Sequence, residues 1–395
     1  MSKTLEKEMI INVGPQHPST HGVLRLILSL EGEIIRDTKP VIGYLHRGME
    51  KIAESRSYFQ YLPMVDRVDY LSSFFNLASM CMAVEEIAGL KLPKRAEYIR
   101  VITMELNRIT SHLLWLGTFL LDLGATSPLF YTFREREDIV KLFEELTGAR
   151  MMYNFYTYGG VKKDIPEGWL LKVKDLCVKL PAMFDEYESI ITNNPIFLAR
   201  TKGIGVLTPQ MAIEYGITGP NLRASGVDFD LRKAQPYSVY DELEFKIALG
   251  KNGDTSDRYA VRIEEMRESV KIVEQAIDKI NGGSKEELNI KRQNCACNQD
   301  DCEVCGYETK LIAKKLNPAI FKLQAGEATS LIESARGITA CYVKSDGTAK
   351  PYRVKWRTPS FSAVQVLPEL IKDRPFGDLM AIFGSLDVVL PEVDR

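Results

Sequence analysis

Histidine is scarce, with four in 395 residues, so imidazole is available at few points in the chain. A charge excess of one sign is missing as well: 51 Lys and Arg stand against 53 Asp and Glu, a formal net charge of −2. That balance argues against nucleic acid as the main partner, because phosphate binding leaves a strong basic excess. No window approaches the about 20 apolar residues of a membrane helix. The nearest, Leu113 to Leu121, is short and runs into Asp122. The opening Met1 to Glu8 is polar without an apolar core, so no signal peptide is expected. Seven cysteines without such a leader point to a reducing compartment, where metal or free thiol is favoured over disulfide. The 45% hydrophobic and 26% charged content is that of an ordinary globular chain. Its length allows one large core or two to three smaller ones.

Two of the four histidines fall in one stretch, Gly14-Pro15-Gln16-His17-Pro18-Ser19-Thr20-His21-Gly22. Strand-like runs flank it, Met9 to Val13 before and Val23 to Leu30 after, the second alternating apolar with polar. Pro18 has no N–H and biases His17 toward extended backbone, so the pair is no simple helix face. The stretch reads as a rigid turn presenting imidazoles at a surface or cleft, or as a hairpin loop whose histidines only cap backbone groups. Ile34 to Asp37 follows as a third run, broken by Pro40, which makes the start of the chain a small β unit.

From Tyr44 the pattern turns helical, and His46, Arg47 and Glu50 would share one side of a helix starting there, as a solvated ion-pair face. A mostly buried helix is expected from Asp66, as N-cap, to Gly89, with Arg67, Asp69 and Tyr70 in its first turn. The clearest periodicity runs from Lys94 to about Leu121, long enough at about 40 Å to be the spine of a bundle. Glu105, Arg108 and His112 lie along one side of it, His112 reading as a satisfied core histidine. Asp122 ends it between leucines and before Gly124, where a carboxylate must be paired or open onto water. Further helices are expected from Pro128 to Gly148, from Trp169 to Ile191 and from Ser256 to Ile280, the last with a mostly solvated charged face. Arg223 and Arg232 fall in a glycine-rich section, where arginines suggest clamping of a partner's carboxylates or of an anionic cofactor.

Four cysteines cluster as Cys295-x-Cys297-x4-Cys302-x2-Cys305. Four thiolates suffice for tetrahedral zinc or an iron–sulfur cluster. The spacing matches neither common ferredoxin run, which leaves a zinc knuckle or an unliganded loop ahead of a redox cluster. Cys81, Cys177 and Cys341 read as isolated buried thiols. The last segment alternates again through Leu331 to Val343 and Tyr352 to Trp356 around a Ser345-Asp346-Gly347 turn. Its closing Glu392-Val393-Asp394-Arg395 reads as docked rather than frayed.

Several stretches together resemble one family. These are Gly14 to Leu26, Gly43-Tyr44-Leu45-His46-Arg47-Gly48, Arg67-Val68-Asp69-Tyr70, Phe133-Arg134-Glu135-Arg136-Glu137, Leu222-Arg223-Ala224-Ser225-Gly226 and Glu392 to Arg395. They resemble the quinone-site subunit of respiratory complex I, in order along nearly the whole chain except roughly 281–310. The resemblance implies an α+β fold like the nickel–iron hydrogenase large subunit, a long-helix bundle with an N-terminal β unit and a C-terminal β-rich segment. The expected divisions are a β unit at 1–42, a helical core at 43–285 with a loop-rich section at 200–250, a cysteine insert at 286–310 and a docking segment at 311–395. Hydrogenases hold their metals with two Cys-x-x-Cys pairs. The matching positions here, Ser57 to Tyr61 and Asp387 to Glu392, carry no cysteine, which speaks against a nickel–iron site.

The resemblance further implies that His21 and Tyr70 hold a quinone headgroup and that Asp122 pairs with His21. Electrons are implied to come from an iron–sulfur cluster in a neighbouring subunit, near Arg67, Arg150 and Met152. Many relatives carry a histidine after the arginine matching Arg150; this chain has Met151-Met152-Tyr153. The expected activity is therefore proton-pumping NADH:quinone oxidoreduction as one subunit of a complex. Alternatives are a related complex fed by ferredoxin or a deazaflavin, and a scaffold subunit. Implied partners are the cluster-bearing subunit, other hydrophilic-arm subunits and the membrane arm, with the chain peripheral on the cytoplasmic side of the cell (inner) membrane.

Overall fold

The computed structural model describes residues 8–15, 22–282, 318 and 321–395. Three antiparallel strands come first, β1 (Met9–Val13), β2 (Arg25–Glu31) and β3 (Ile34–Val41), in the order β1-β2-β3. β2 alternates as its sequence does, burying Leu26, Leu28 and Leu30. Pro40 does not break β3: it pairs with Leu26. The strand lies at the sheet edge, where a missing N–H need not interrupt a ladder.

The helical part begins with α1 (Met49–Ser55) and α2 (Tyr58–Val65), followed by α3 (Ser73–Ala88), α4 (Lys94–Asp122) and α5 (Ser127–Thr147). Gly48 caps α1, so His46 and Arg47 precede the helix instead of sharing a side with Glu50. The single helix expected from Asp66 to Gly89 starts only at Ser73, after a run of turns. A capping box of Ser57 and Gln60 starts α2, and Asp66 is its C-cap, not an N-cap. Turns then carry the chain from Arg67 to Ser72, stitched by Asp69 Oδ1 accepting from Leu71 N and by Asn76 Nδ2 donating to Asp69 O. Gly89, in the left-handed region, closes α3 as a C-cap glycine.

A two-strand pair, β4 (Tyr156–Thr157) and β5 (Gly160–Val161), leads to α6 (Trp169–Ile191). The turn-rich section holds four short helices, α7 (Pro195–Thr201), α8 (Pro209–Glu214), α9 (Pro220–Ala224) and α10 (Leu231–Ala234). The charged helix is α11 (Thr255–Gly282). It is not solvated as expected: Arg258, Arg262, Glu265, Glu268 and Ser269 are all buried, because α11 packs against α4, α6 and α9 together.

After residue 321 come β6 (Gly326–Ser334), β7 (Gly337–Ser345) and β8 (Arg353–Arg357), a second three-stranded antiparallel sheet, which packs on α3. The remainder of the segment expected to be β-rich is helical, as α12 (Pro359–Ile371), α13 (Leu379–Leu386) and α14 (Leu390–Asp394). The class is α+β. Leu26, Leu28, Leu30 and Ile35 share one core with Leu367, Leu370, Ile371 and Leu390, so the two ends of the chain are packed together. Cys81, Cys177 and Cys341 are free and buried, as expected.

Arg223 and Arg232 hold the chain's own acids. Arg223 lies 2.6 Å from Glu265 and 2.8 Å from Glu333, and Arg232 lies 2.7 Å from Asp230 and 3.2 Å from Glu105. Arg108 meets Glu105 at 3.1 Å, and His112 Nε2 meets Glu265 at 3.0 Å. Every one of these groups is buried. Burial alone would raise the Glu105 carboxyl, but Arg108 and Arg232 outweigh it and bring it down to about 2. Burial depresses His112, keeping its imidazole neutral. Removing one member of such a set leaves a buried charge uncompensated. Arg223→Met is therefore expected to cost about 3–5 kcal/mol of stability, read as a lower denaturation midpoint of the purified chain.

Candidate functional site

The closing residues are tied to the start of the helical part. Asp394 accepts from the Gly43 and Leu45 N–H groups at 2.8 Å each, and its carbonyl lies 2.6 Å from His46 Nδ1. Arg395 Nε lies 3.3 Å from Glu50. Glu392 accepts from Ser360 N at 2.8 Å, while its carbonyl accepts from Thr358 Oγ1 at 2.8 Å. The end of the chain is thus docked, as expected from its sequence.

Tyr70 sits half-buried in the turns between α2 and α3. Its neighbour Asp69 is held by Arg336, which reaches in from the β6–β7 turn: Nη1 is 2.7 Å from Asp69 Oδ2 and 2.9 Å from Ser72 Oγ. The other arm of the same guanidinium lies 3.4 Å from Asp387, the C-cap of α13. Burial, then the charge on Asp69, pushes the Tyr70 hydroxyl up from its ordinary value, so it holds its proton firmly. Glycine is required at the turn that brings Arg336 in, because a Cβ on Gly337 would lie 2.5 Å from Thr218 Oγ1.

Asp122 is the last residue of α4, half-buried beside α13. Its Oδ2 lies 3.6 Å from where a Cβ on Gly384 would stand, and Trp115 Nε1 fixes the same glycine by donating to its carbonyl at 2.8 Å. His17 and His21 lie outside the described residues, but both glycines that bracket their turn are placed. Gly14, at φ +93°, backs on Leu24 O, and Gly22, at φ +127°, backs on Leu45 and Leu390. A side chain at either would collide with these neighbours. The stretch 384–390 therefore borders Asp122, the Arg336 cluster beside Tyr70, and Gly22, the residue after His21.

The sequence drew attention to neither Arg336 nor Asp387 as a partner of this cluster. The one available signal was an arginine directly before the Gly337 turn between two alternating runs. Cys295, Cys297, Cys302 and Cys305 lie outside the described residues. Among the described residues, no group of three or more His, Cys, Asp or Glu side chains could hold a metal ion.

Residues 122–395 match the family model described as "Respiratory-chain NADH dehydrogenase, 49 Kd subunit". The chain belongs to that family. It is 51% identical over 395 residues to an H-type subunit of the NAD(P)H-quinone oxidoreductase of Gloeobacter violaceus, covering all of both chains. The chloroplastic H-type NAD(P)H-quinone oxidoreductase subunit of Marchantia polymorpha is 50% identical, again end to end. The D-type NADH-quinone oxidoreductase subunit of Bacillus anthracis is 48% identical over 388 residues, 98% of this chain and 99% of that one. The full-length relatives carry the family assignment across Tyr70 and the histidine turn, which precede the region matched by the family model.

On this 49 kDa-family chain the segments that carry Arg67 and Met152 meet at Asp66. Met152 and Asn154 take left-handed backbone, at φ 57° and 41°, and the turn they make aims Asn154 N at Asp66 Oδ2, 2.9 Å away. Arg67 follows Asp66 directly, its guanidinium donating to Pro63 O. Arg150 is not turned toward them: it is exposed and pairs with Glu137 at 2.5 Å and Glu144 at 3.1 Å on α5. Asp66 is fully buried, and its Oδ1 has no hydrogen-bond partner among the described residues. Burial outweighs the Asn154 bond and the positive charge of Arg67, pushing the Asp66 carboxyl up to about 7.

With its folded-state value above the unfolded 3.8, Asp66 makes the native chain bind the extra proton between about pH 4 and 7. Its share of stability is whole below that window and is lost as pH rises through about 7. Asp66→Asn keeps an acceptor for Asn154 N and removes the titration. At pH 8 the variant is expected to be more stable than the parent by a few kcal/mol, about 2–4, with the gap closing toward pH 4 in thermal melts.

Proposed function

We propose that this chain forms the quinone-reduction pocket of a complex I-type, proton-pumping NADH:quinone oxidoreductase. Its fold on this reading is that of the nickel–iron hydrogenase large subunit, without the metal-binding cysteine pairs. The observation that carries the proposal is that residues 384–390 border Asp122, the Asp69–Arg336 cluster beside Tyr70, and Gly22, the residue after His21. The relatives' names supply the reaction class: they are quinone oxidoreductase subunits, matched end to end. The presence of His21, Tyr70 and Asp122 together favours a working pocket over a scaffold subunit.

The quinone is substrate, and its headgroup lies between His21 and Tyr70. A quinone that takes up two electrons needs two protons, which an imidazolium and a phenol can donate. Tyr70 suits the task because its surroundings keep it protonated until a strong base arrives. Asp122 pairs with His21 and favours the imidazolium. When that proton leaves, the carboxylate loses its counter-charge, and this imbalance is what the membrane arm receives.

The electrons come from an iron–sulfur cluster in a neighbouring subunit, on the side of Arg67 and Met152. Other hydrophilic-arm subunits complete the complex, and zinc is a candidate ligand for the four clustered cysteines. No helix among the described residues is long and apolar enough to cross a membrane, in keeping with a peripheral place on the cytoplasmic face. Met152, standing where many relatives have a histidine, favours a second reading of the donor. With no imidazole there, a low-potential quinone such as menaquinone, or feeding by ferredoxin or a deazaflavin, fits as well as NADH.

In the assembled complex, His21→Ala, Tyr70→Phe and Asp122→Asn are each expected to lower quinone reductase activity about 100-fold with the subunit still incorporated. Undiminished activity in all three overturns the pocket. A redox titration of the neighbouring cluster is expected to show a shallow dependence of potential on pH, and a steep one counts against the reading of Met152.

A further inference from the structure

Two phenylalanines on the outer side of α5 are left to solvent. The helix buries Thr132, Glu135, Ile139 and Phe143 on its inner side, as its apolar period dictates. Phe130 is nevertheless 69% exposed, and Phe133, one turn on, is 40% exposed. Met151, shortly after the helix, adds a side chain that is 42% exposed. Its segment is tied back to α5 by Arg150, which grips Glu137 and Glu144.

Arg136 belongs to the same face, with its guanidinium carbon 5.6 Å from the centre of the Phe133 ring. Only a minor part of it is exposed. Its Nε has no hydrogen-bond partner among the described residues, and no carboxylate among them pairs with it. The neighbouring acid, Glu137, is taken by Arg150 at 2.5 Å. Arg134, by contrast, has Glu135 and Glu186. Arginines deeper in the core, Arg258 and Arg262, donate to carbonyl and side-chain oxygens. Burial already pushes the Arg136 guanidinium down from its ordinary value. Covering it further without an acceptor is strongly disfavoured, and a carboxylate matches its planar fork. Aromatic, methionine and arginine side chains are also the kinds enriched where proteins meet.

We propose that the outer face of α5 docks a neighbouring subunit of the same complex, through an apolar patch carrying one carboxylate that pairs with Arg136. The inference rests on the reading of this chain as one subunit of a complex and does not need the quinone pocket. An anionic lipid headgroup carries the same charge as a carboxylate, but a lipid surface would also meet the acids Asp138 and Glu144 of this helix. A single protein carboxylate in apolar surroundings avoids that repulsion.

The test uses the complex purified through a tag on this chain. A benzophenone cross-linker installed at Phe130 and irradiated should form an adduct on another subunit, close to an Asp or Glu. Arg136→Met leaves that acid buried and unpaired, so recovery of the cross-linked subunit with the chain should fall at least about tenfold. Arg136→Lys keeps the charge without the fork, and the loss should be smaller. Arg136 donates to nothing within the described chain, so the isolated Arg136→Met chain should melt as the parent does, which separates lost docking from lost folding. The adduct decides the docking even if a variant at 136 folds poorly. An adduct on lipid or on a second copy of this chain, or full recovery of every subunit with Arg136→Met, overturns the proposal. If the tagged parent brings down no other subunit, the reading as a complex subunit fails and takes this inference with it.

Discussion

Arg223 can stay charged in the interior only because Glu265, Glu333 and Asp230 converge on it from three separate elements. That demand organises the middle of the molecule. α9 must lie against α11, and both must meet the end of β6, or a guanidinium is left in apolar surroundings. The same set runs on through Arg232 and Glu105 to α4, the longest helix among the described residues. Replacing such a set by apolar side chains can be energetically neutral, so its presence is better read as a specification of register than as a source of stability.

The network has a second consequence through its placement. Arg108 donates to the carbonyls of Glu333 and Ser334, which fixes the end of β6. Two residues later the chain presents Arg336 to Asp69 and Asp387. The ion pairs of the core therefore hold the hairpin that carries the guanidinium beside Tyr70. Asp122 is reached from the opposite direction, at the far end of α4, where Trp115 and Gly384 lock α13 against the helix. A single helix thus carries a core ion pair at Glu105 and, at its other end, the Asp122 carboxylate that we propose for the pocket.

Much of this was legible in the residues and some was not, for identifiable reasons. The helices from Lys94, Pro128 and Trp169 follow apolar periodicity and glycine or proline signals, which are local, and the structure has them there. The break at Asp66 was hidden because apolar residues continue on both sides of it, while the turns between are held by side-chain bonds of Asp69 and Asn76. The charged helix from Thr255 was misjudged because i, i+4 charge pairs look alike on a solvated face and in a buried network. Only the arrival of Arg223 and His112 opposite Glu265 separates the two cases.

The amino-acid sequence by itself determined the N-terminal strands, the long helices from Lys94, Pro128 and Trp169, the α+β class and membership in the 49 kDa family, because periodicity, capping and motif order are properties of neighbouring residues. It also determined that Tyr70, Asp122 and the histidine turn are present. The tertiary structure alone decided that Asp122 and Tyr70 are drawn to one stretch of the C-terminus, and which carboxylates share a cation. Those are questions of desolvation and of distance between residues hundreds of positions apart, and no local pattern encodes them.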